Sequence, residues 1–199
     1  MSVIQNSDER VFVIRIDHDD RIIFVNEHWL AFARENGTEE LLEKSLLGQN
    51  LWQHICDDTT THLYHTMITS AREEGHYFTI PFRCDSPDCR RFMEMKIIPS
   101  DNGAVTLESK VVKLESREHV KLLDSDIERS DKLIQMCSYC KKVLAADSNW
   151  YEVEQAIALL DLFAEDKPPQ ITHTICPACY EEYNKVLNMV KAKHERDSI

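Results

Sequence analysis

Two cysteine pairs, Cys137-Ser138-Tyr139-Cys140 and Cys176-Pro177-Ala178-Cys179, place four thiols in the last third of the chain. Two cysteines separated by two residues turn both sulfurs toward one point, and two such turns supply the four thiolates of a closed tetrahedral zinc site. The expected metal ligands are Cys137, Cys140, Cys176 and Cys179 and the expected cofactor is Zn2+. Its role is structural, because protein fills every coordination position. The 35 residues between Cys140 and Cys176 exceed the roughly 15 to 20 usual between such pairs, so the intervening segment carries structure of its own. His173 is the alternative ligand, set aside because four thiols are already present.

The elements that position these thiols are expected to be helical. Trp150, Val153, Ile157, Leu160 and Ala164 recur at steps of three and four over residues 151–164, and Pro168-Pro169 stops that run. Pro177 suits a first helical position, and Tyr180, Tyr183, Leu187 and Val190 extend an apolar stripe behind it. A unit of this size has little core, so a structural zinc worth on the order of 10 kcal/mol decides whether it folds. Upstream, Val120, Leu123, Ile127, Ser130 and Ile134 form a short heptad-like seam. It predicts a linker helix over 116–136, a coiled coil with a second copy, and hence a homodimer. The expected division is 1–115 for a first domain, 116–136 for the linker helix and 137–199 for a zinc-binding helical module. The metal unit is then a rigid knob, whose loss leaves the first domain intact.

The first 115 residues read as two short strands (11–16 and 21–25) joined at Asp17-His18-Asp19-Asp20, then helices over 26–35 and 59–74, the second ended by Gly75. Three strands follow over 77–84, 90–98 and 104–114. Phe78, Ile80 and Phe82, Met93, Met95 and Ile97, and Val105, Leu107 and Val111 alternate as in an antiparallel sheet with one buried side.

Two strands, helices and three strands is the order of PAS domains, and the run Arg21-Ile22-Ile23-Phe24-Val25-Asn26 followed by Trp29 and Phe32 resembles their opening hairpin and first helix. Phe82-Arg83-Cys84-Asp85-Ser86-Pro87, with Arg90-Arg91-Phe92-Met93 behind it, is similar to one bacterial PAS subgroup. In that subgroup the domain can precede a double Cys-x-x-Cys, zinc-finger-like module, here Met136 to Lys142, Trp150, and His173 to Cys179. The resemblance implies an α+β fold: a PAS-type five-stranded antiparallel sheet with helices on one face, used to sense a small molecule or to pair with proteins.

Haem is the first ligand to weigh in a PAS domain, and His62 and His65 are the candidate axial ligands. On a helical wheel Leu63, Tyr64, Met67, Ile68 and Ala71 make the apolar sector and both histidines project opposite it, toward water. His28 and His54 are isolated, and Cys56 reads as a small buried residue. Cys84 and Cys89 flank a four-residue hairpin turn, which makes them a candidate redox pair if cross-strand neighbours, with two free thiols as the alternative. Arg90 and Arg91 read as a solvated hairpin edge, or as a site for an anionic ligand or partner carboxylate.

Composition narrows the function classes. A formal charge of -12 describes an acidic protein, and three basic residues face eight acidic ones between Cys137 and Asn184, the reverse of a phosphate-tracking surface. No secretory leader and no stretch of 18 apolar residues is read, so no membrane is expected and the cytoplasm is, in keeping with seven cysteines used as reduced thiols and ligands. Four glycines leave little room for a phosphate-cradling loop or a nucleophile elbow. The sequence therefore points to a non-catalytic cytoplasmic signalling protein whose state is read by an unidentified signalling partner. A haem- or small-ligand-binding sensor and a thiol redox switch are the alternatives.

Overall fold

A computed structural model describes residues 9–36, 46–55, 57–164 and 167–197, with side chains to Val190. Strands β1 (Val11–Ile16) and β2 (Ile22–Val25) form the opening hairpin, and α1 (Glu27–Glu35) follows. Asn26 ties them together. Its side-chain oxygen accepts from the backbone N–H of Trp29, capping α1, and from that of Val13, while its amide donates to Val11 O. Helix α2 (Asp58–Glu74) begins where Asp57 accepts from the Thr59 and Thr60 N–H groups. It ends at Gly75, whose φ of 69° is the left-handed conformation glycine adopts without penalty.

Strands β3 (Phe78–Arg83), β4 (Cys89–Pro99) and β5 (Val105–Ser116) complete an antiparallel sheet in the order β2-β1-β5-β4-β3. This is the α+β arrangement expected, with a five-stranded antiparallel sheet. Phe12, Ile16, Phe78, Ile80, Met93, Ile97, Val105 and Val111 all point to the face covered by α1 and α2 and are buried. On the other face the pairing of Lys110 with Glu94, 3.2 Å apart, belongs to solvent.

The segment expected to be a linker helix is not one. Among the described residues of 116–136 the only helical turn is a short 3-10 turn at Lys121–Leu123, and strand β6 (Leu133–Cys137) occupies the end. A heptad seam of this length needs a partner helix, and other groups claim its backbone instead. Arg117 and Val120 donate to Asp88 O and Pro87 O, Arg129 donates to Leu122 O and Asp124 O, and Ser130 N bonds Pro168 O. Leu122, off the expected seam, is fully buried. The argument for a homodimer through this seam lapses with the helix.

The cysteine-bearing part is also not a purely helical module. Strands β7 (Val143–Leu144), β8 (Trp150–Tyr151) and β9 (Gln170–Thr174) join β6 in a sheet of order β8-β7-β6-β9, flanked by α3 (Val153–Leu159) and α4 (Pro177–Asp197). Trp150 and Tyr151 therefore sit in a strand, and α3 stops near Leu160, with Asp161 in the left-handed region at φ 47°. Strands β6 and β9 run parallel, and a parallel pair requires a long crossover connection. That crossover accounts for the wide spacing of the two cysteine pairs.

The two sheets share one core. Cys137, Tyr139, Ile175, Cys176, Tyr183 and Leu187 lie in the same buried cluster as Ile16, Leu63, Met67, Phe78 and Ile97, while Leu122, Met136, Val143, Val153 and Ala156 form a smaller second cluster. The cysteine unit is docked on the first sheet rather than standing beside it as a separate knob.

Candidate metal centre

Parallel register brings Cys137 opposite Thr174, so the first cysteine pair leaves β6 at the same end at which the second leaves β9. The first pair turns back on itself. Lys141 N bonds Cys137 O at 3.0 Å, Cys137 N bonds Lys142 O at 2.7 Å, and Lys141 takes φ 60°, a left-handed conformation held by the ammonium bonding Ser138 O at 2.8 Å. The second pair opens α4, whose first-turn N–H groups favour negative charge.

The Sγ atoms of Cys137, Cys140, Cys176 and Cys179 all lie within 4.8 Å of one another, with Cys140 Sγ 3.7 Å from Cys176 Sγ. Four sulfurs about 2.3 Å from a tetrahedral ion are about 3.8 Å apart, whereas a disulfide needs about 2.05 Å. The donor set fits a metal ion, and all four cysteines are free thiols. Cys176 N–H donates to Cys137 Sγ at 3.4 Å and Cys179 N–H to Cys176 Sγ at 3.5 Å, contacts that favour thiolates. Hydrogen bonds from the Cys140 and Cys179 thiols pull Cys137 well below the ordinary thiol range. Holding its proton against Cys137 pushes Cys140 up to about 12, and Cys179 rises for the same reason. A bound divalent cation removes this mutual penalty. His173 lies outside the cluster and is exposed.

Two joints fix this centre to the first sheet. In the apolar joint, Tyr139 lies between Tyr64 of α2, with ring centroids 6.1 Å apart, and Tyr183 of α4, at 4.0 Å. Burial raises the phenols of all three, Tyr64 to about 12. Tyr139 O accepts from Arg83 N at 2.7 Å, and the Tyr183 hydroxyl donates to Pro81 O at 2.5 Å. β3 is an edge strand of its sheet, so these contacts satisfy outward backbone groups that an uncovered edge leaves open.

The ionic joint is built from the Arg83-to-Arg90 segment singled out in the sequence. Arg83 holds Asp85 at 2.5 Å and Glu152, at the start of α3, at 2.8 Å. Arg117 reaches Asp85 at 3.2 Å and Glu154 at 3.4 Å and donates to Ser86 O and Pro87 O. Arg90 binds Glu154 at 2.8 Å. The side chains of Arg83, Arg117 and Asp85 are 9%, 5% and 3% exposed. Burial works against the Arg83 charge, but its bonds to Asp85 and Glu152 outweigh it and raise the guanidinium further. Burial likewise opposes the charge on Glu154, and its own backbone N–H with Arg90 outweighs that, keeping the carboxyl below its usual range. Arg90 is thus no solvated edge residue; its carboxylate partner lies in its own chain. Sequence reading missed this lattice because Arg83 and Glu152 are 69 residues apart.

The other candidates fall in different places. His62 and His65 are exposed on α2, as the helical wheel indicates, and His28 and His54 are exposed too. Cys56 lies outside the described residues. Cys84 and Cys89 are not directly paired: Cys84 N bonds Arg91 O, and Cys89 bridges Ser86 and pairs with Ser116. The two-residue offset makes them diagonal neighbours, whose Cα separation of about 7–8 Å exceeds the usual disulfide span. Burial raises the Cys84 thiol, which disfavours the thiolate that oxidation needs. Beneath α1 the sheet leaves a cavity of 220 Å3, lined among others by Phe12, Trp29, Phe32, Phe82, Met93 and Met95.

No protein-family model matches the chain, and no curated protein matches it. Among solved structures it is similar to a sensory box sensor histidine kinase from Vibrio cholerae, at 14% identity over 54% of this chain and 85% of that one, with a TM-score of 0.39. It is also similar to a domain of an HTR-like protein from Haloarcula marismortui ATCC 43049, at 19% identity over 52% of this chain and 98% of that one, with a TM-score of 0.37. Among the described residues no helix is long and apolar enough to cross a membrane.

Proposed function

We propose that the chain is a non-catalytic signal-sensing and protein-interaction protein, in which a PAS-type sensor sheet is clasped along its β3 edge by a structural four-cysteine zinc centre. Residues 1–115 act as the sensor and 137–199 as the zinc-holding part. The segment between them is a strap laid over the hairpin turn, not a lever. The observation that carries this reading is the convergence of four sulfurs within 4.8 Å at the point where Tyr139 and Tyr183 cap β3. Cys137, Cys140, Cys176 and Cys179 hold the zinc, which supplies charge compensation and a rigid crosslink, since the four thiolates leave no open position for chemistry. A change in the sensor sheet alters how firmly the module sits, and a separate cytoplasmic protein reads the exposed surface.

Elemental analysis of the purified full chain tests the centre. About one zinc per chain is expected, with none retained by Cys140→Ser, and a metal-free but fully folded wild-type protein overturns it. His62 and His65, the residues weighed as axial haem ligands, are exposed on α2.

A further inference from the structure

The inner face of the five-stranded sheet carries one charge where its pattern calls for an apolar residue. On β4 the residues alternating toward α1 and α2 are Arg91, Met93, Met95 and Ile97, and Arg91 stands opposite Leu114 of β5. Its guanidinium lies over the Phe32 ring of α1 at 5.4 Å and donates to Cys84 O at 3.3 Å. No carboxylate of the described residues pairs with it. Its neighbours in the ionic lattice take up the acids within reach: Asp85 goes to Arg83 and Arg117, and Glu154 to Arg90 and Arg117.

Arg91 stands at a doorway. The 220 Å3 cavity under α1 is apolar apart from Cys84 and Ser109, and it shares Trp29, Phe32 and Cys84 with a wider surface groove of 1010 Å3 that Arg91 also lines. Of the other charges along that groove, Glu35 binds Arg10, Asp85 binds Arg83 and Arg117, Asp124 lies by His119, Lys121 covers Phe163, and Asp126 accepts from the Ser125 hydroxyl. An apolar cavity of about 150 Å3 suffices for a benzene ring, and drug-sized ligands need about 300–1,000 Å3. The space therefore suits one ring or a short branched chain. A guanidinium at the mouth offers two parallel N–H groups to a planar carboxylate.

We propose that Arg91 and the cavity beneath α1 bind a small monocarboxylic acid with an apolar body, the body among Phe12, Phe82, Met93 and Met95 and the carboxylate on Arg91. This rests on the sensor reading above and names the class of molecule sensed. Binding there presses on Trp29 and Phe32 of α1 and on the end of β3, close in sequence to the Tyr183 contact at Pro81.

Calorimetry on the full-length, metal-loaded protein with phenylacetate and its neutral analogue phenylacetamide tests it. One phenylacetate is expected per chain, at least tenfold tighter than the amide. Arg91→Gln brings the two within about twofold, Arg91→Lys retains part of the preference, and Met93→Trp, which fills the cavity, removes both. Equal binding of acid and amide to the wild type overturns the anion assignment and leaves the cavity. Binding of neither overturns the ligand site altogether. Zinc content and circular dichroism of the same samples show separately whether the metal-clasped fold stands, so a failed ligand and a failed fold are told apart.

Discussion

The two joints between the sheets solve one docking problem with opposite chemistry. Around Tyr139 the contact is aromatic, buried and organised by four sulfurs. Around Asp85 it consists of three arginines and three carboxylates brought together from β3, β4 and the turn between them, the residue after β5 and the start of α3. The aromatic joint draws on burial, which salt hardly touches, and, on the function proposed above, on a metal whose removal is all or none. Breaking the ionic joint is costly because its centre is dry, while its rim at Glu152 and Glu154, 30% and 35% exposed, answers to salt and pH. Docking is thus permanent at one end and adjustable at the other.

Removing the metal should produce the largest effect. Structural zinc is worth about 10–16 kcal/mol to modules of this kind, as large as the whole net stability of a typical domain, roughly 5–15 kcal/mol. Cys140→Ser or chelation is expected to unfold the β6–β9 sheet and, through the shared core, to deprotect β3 as well. Hydrogen exchange checks this at Arg83, whose N–H bonds Tyr139 O. Full protection of Arg83 in a metal-free protein would show that the sheets are independent.

Next comes Asp85→Asn, which leaves Arg83 and Arg117 buried beside a neutral amide. Loss of one partner from a buried charge cluster costs about 3–5 kcal/mol. Urea unfolding of the zinc-loaded protein measures it. A cost below about 1 kcal/mol, the value of a surface ion pair, would place this joint in water. Tyr183→Phe ranks third, because it strips the hydrogen bond from Pro81 O on a covered strand edge and costs about 1–2 kcal/mol. Combined with Asp85→Asn in a double-mutant cycle, it shows whether the joints act as one unit, since independent sites add to within about 0.5 kcal/mol.

How much of this was legible in the sequence follows from the reach of each interaction. Local signals held: Gly75 ended α2, the paired cysteines converged, and alternation placed Phe78, Ile80, Met93 and Ile97 on the buried face. The residues at 120–134 misled because apolar steps of three and four also occur in a chain that folds as strap and strand. Ile134 and Met136 answer to pairing with β9, whose partners are 37 positions away. The role of Arg83 and Asp85 was hidden for the same reason. Arg91 was readable in part: on a strand where Met93, Met95 and Ile97 alternate inward, the same period puts Arg91 inside.

The smallest expected effect concerns pH and separates the joints most cleanly. Glu154 has a carboxyl held below its usual range, so it contributes stability that is complete above its unfolded value near 4.5 and is lost as pH falls through the lower folded value. His119 runs the other way. Hydrogen bonds to Asp88 and Asp124 raise it above 6.5, so its contribution is present below 6.5 and fades as pH rises through the folded value. His119 is exposed, and its slope should be slight and vanish in high salt. Glu154→Gln is therefore expected to flatten the stability profile below about pH 4.5 while leaving zinc content at neutral pH unchanged. If the four cysteines hold zinc as proposed, acid also protonates them and releases the metal, so the profile must be compared with that of Cys140→Ser. If Glu154→Gln flattens nothing in the wild type, the acid limb belongs to the sulfurs alone and the adjustable joint is the metal centre itself.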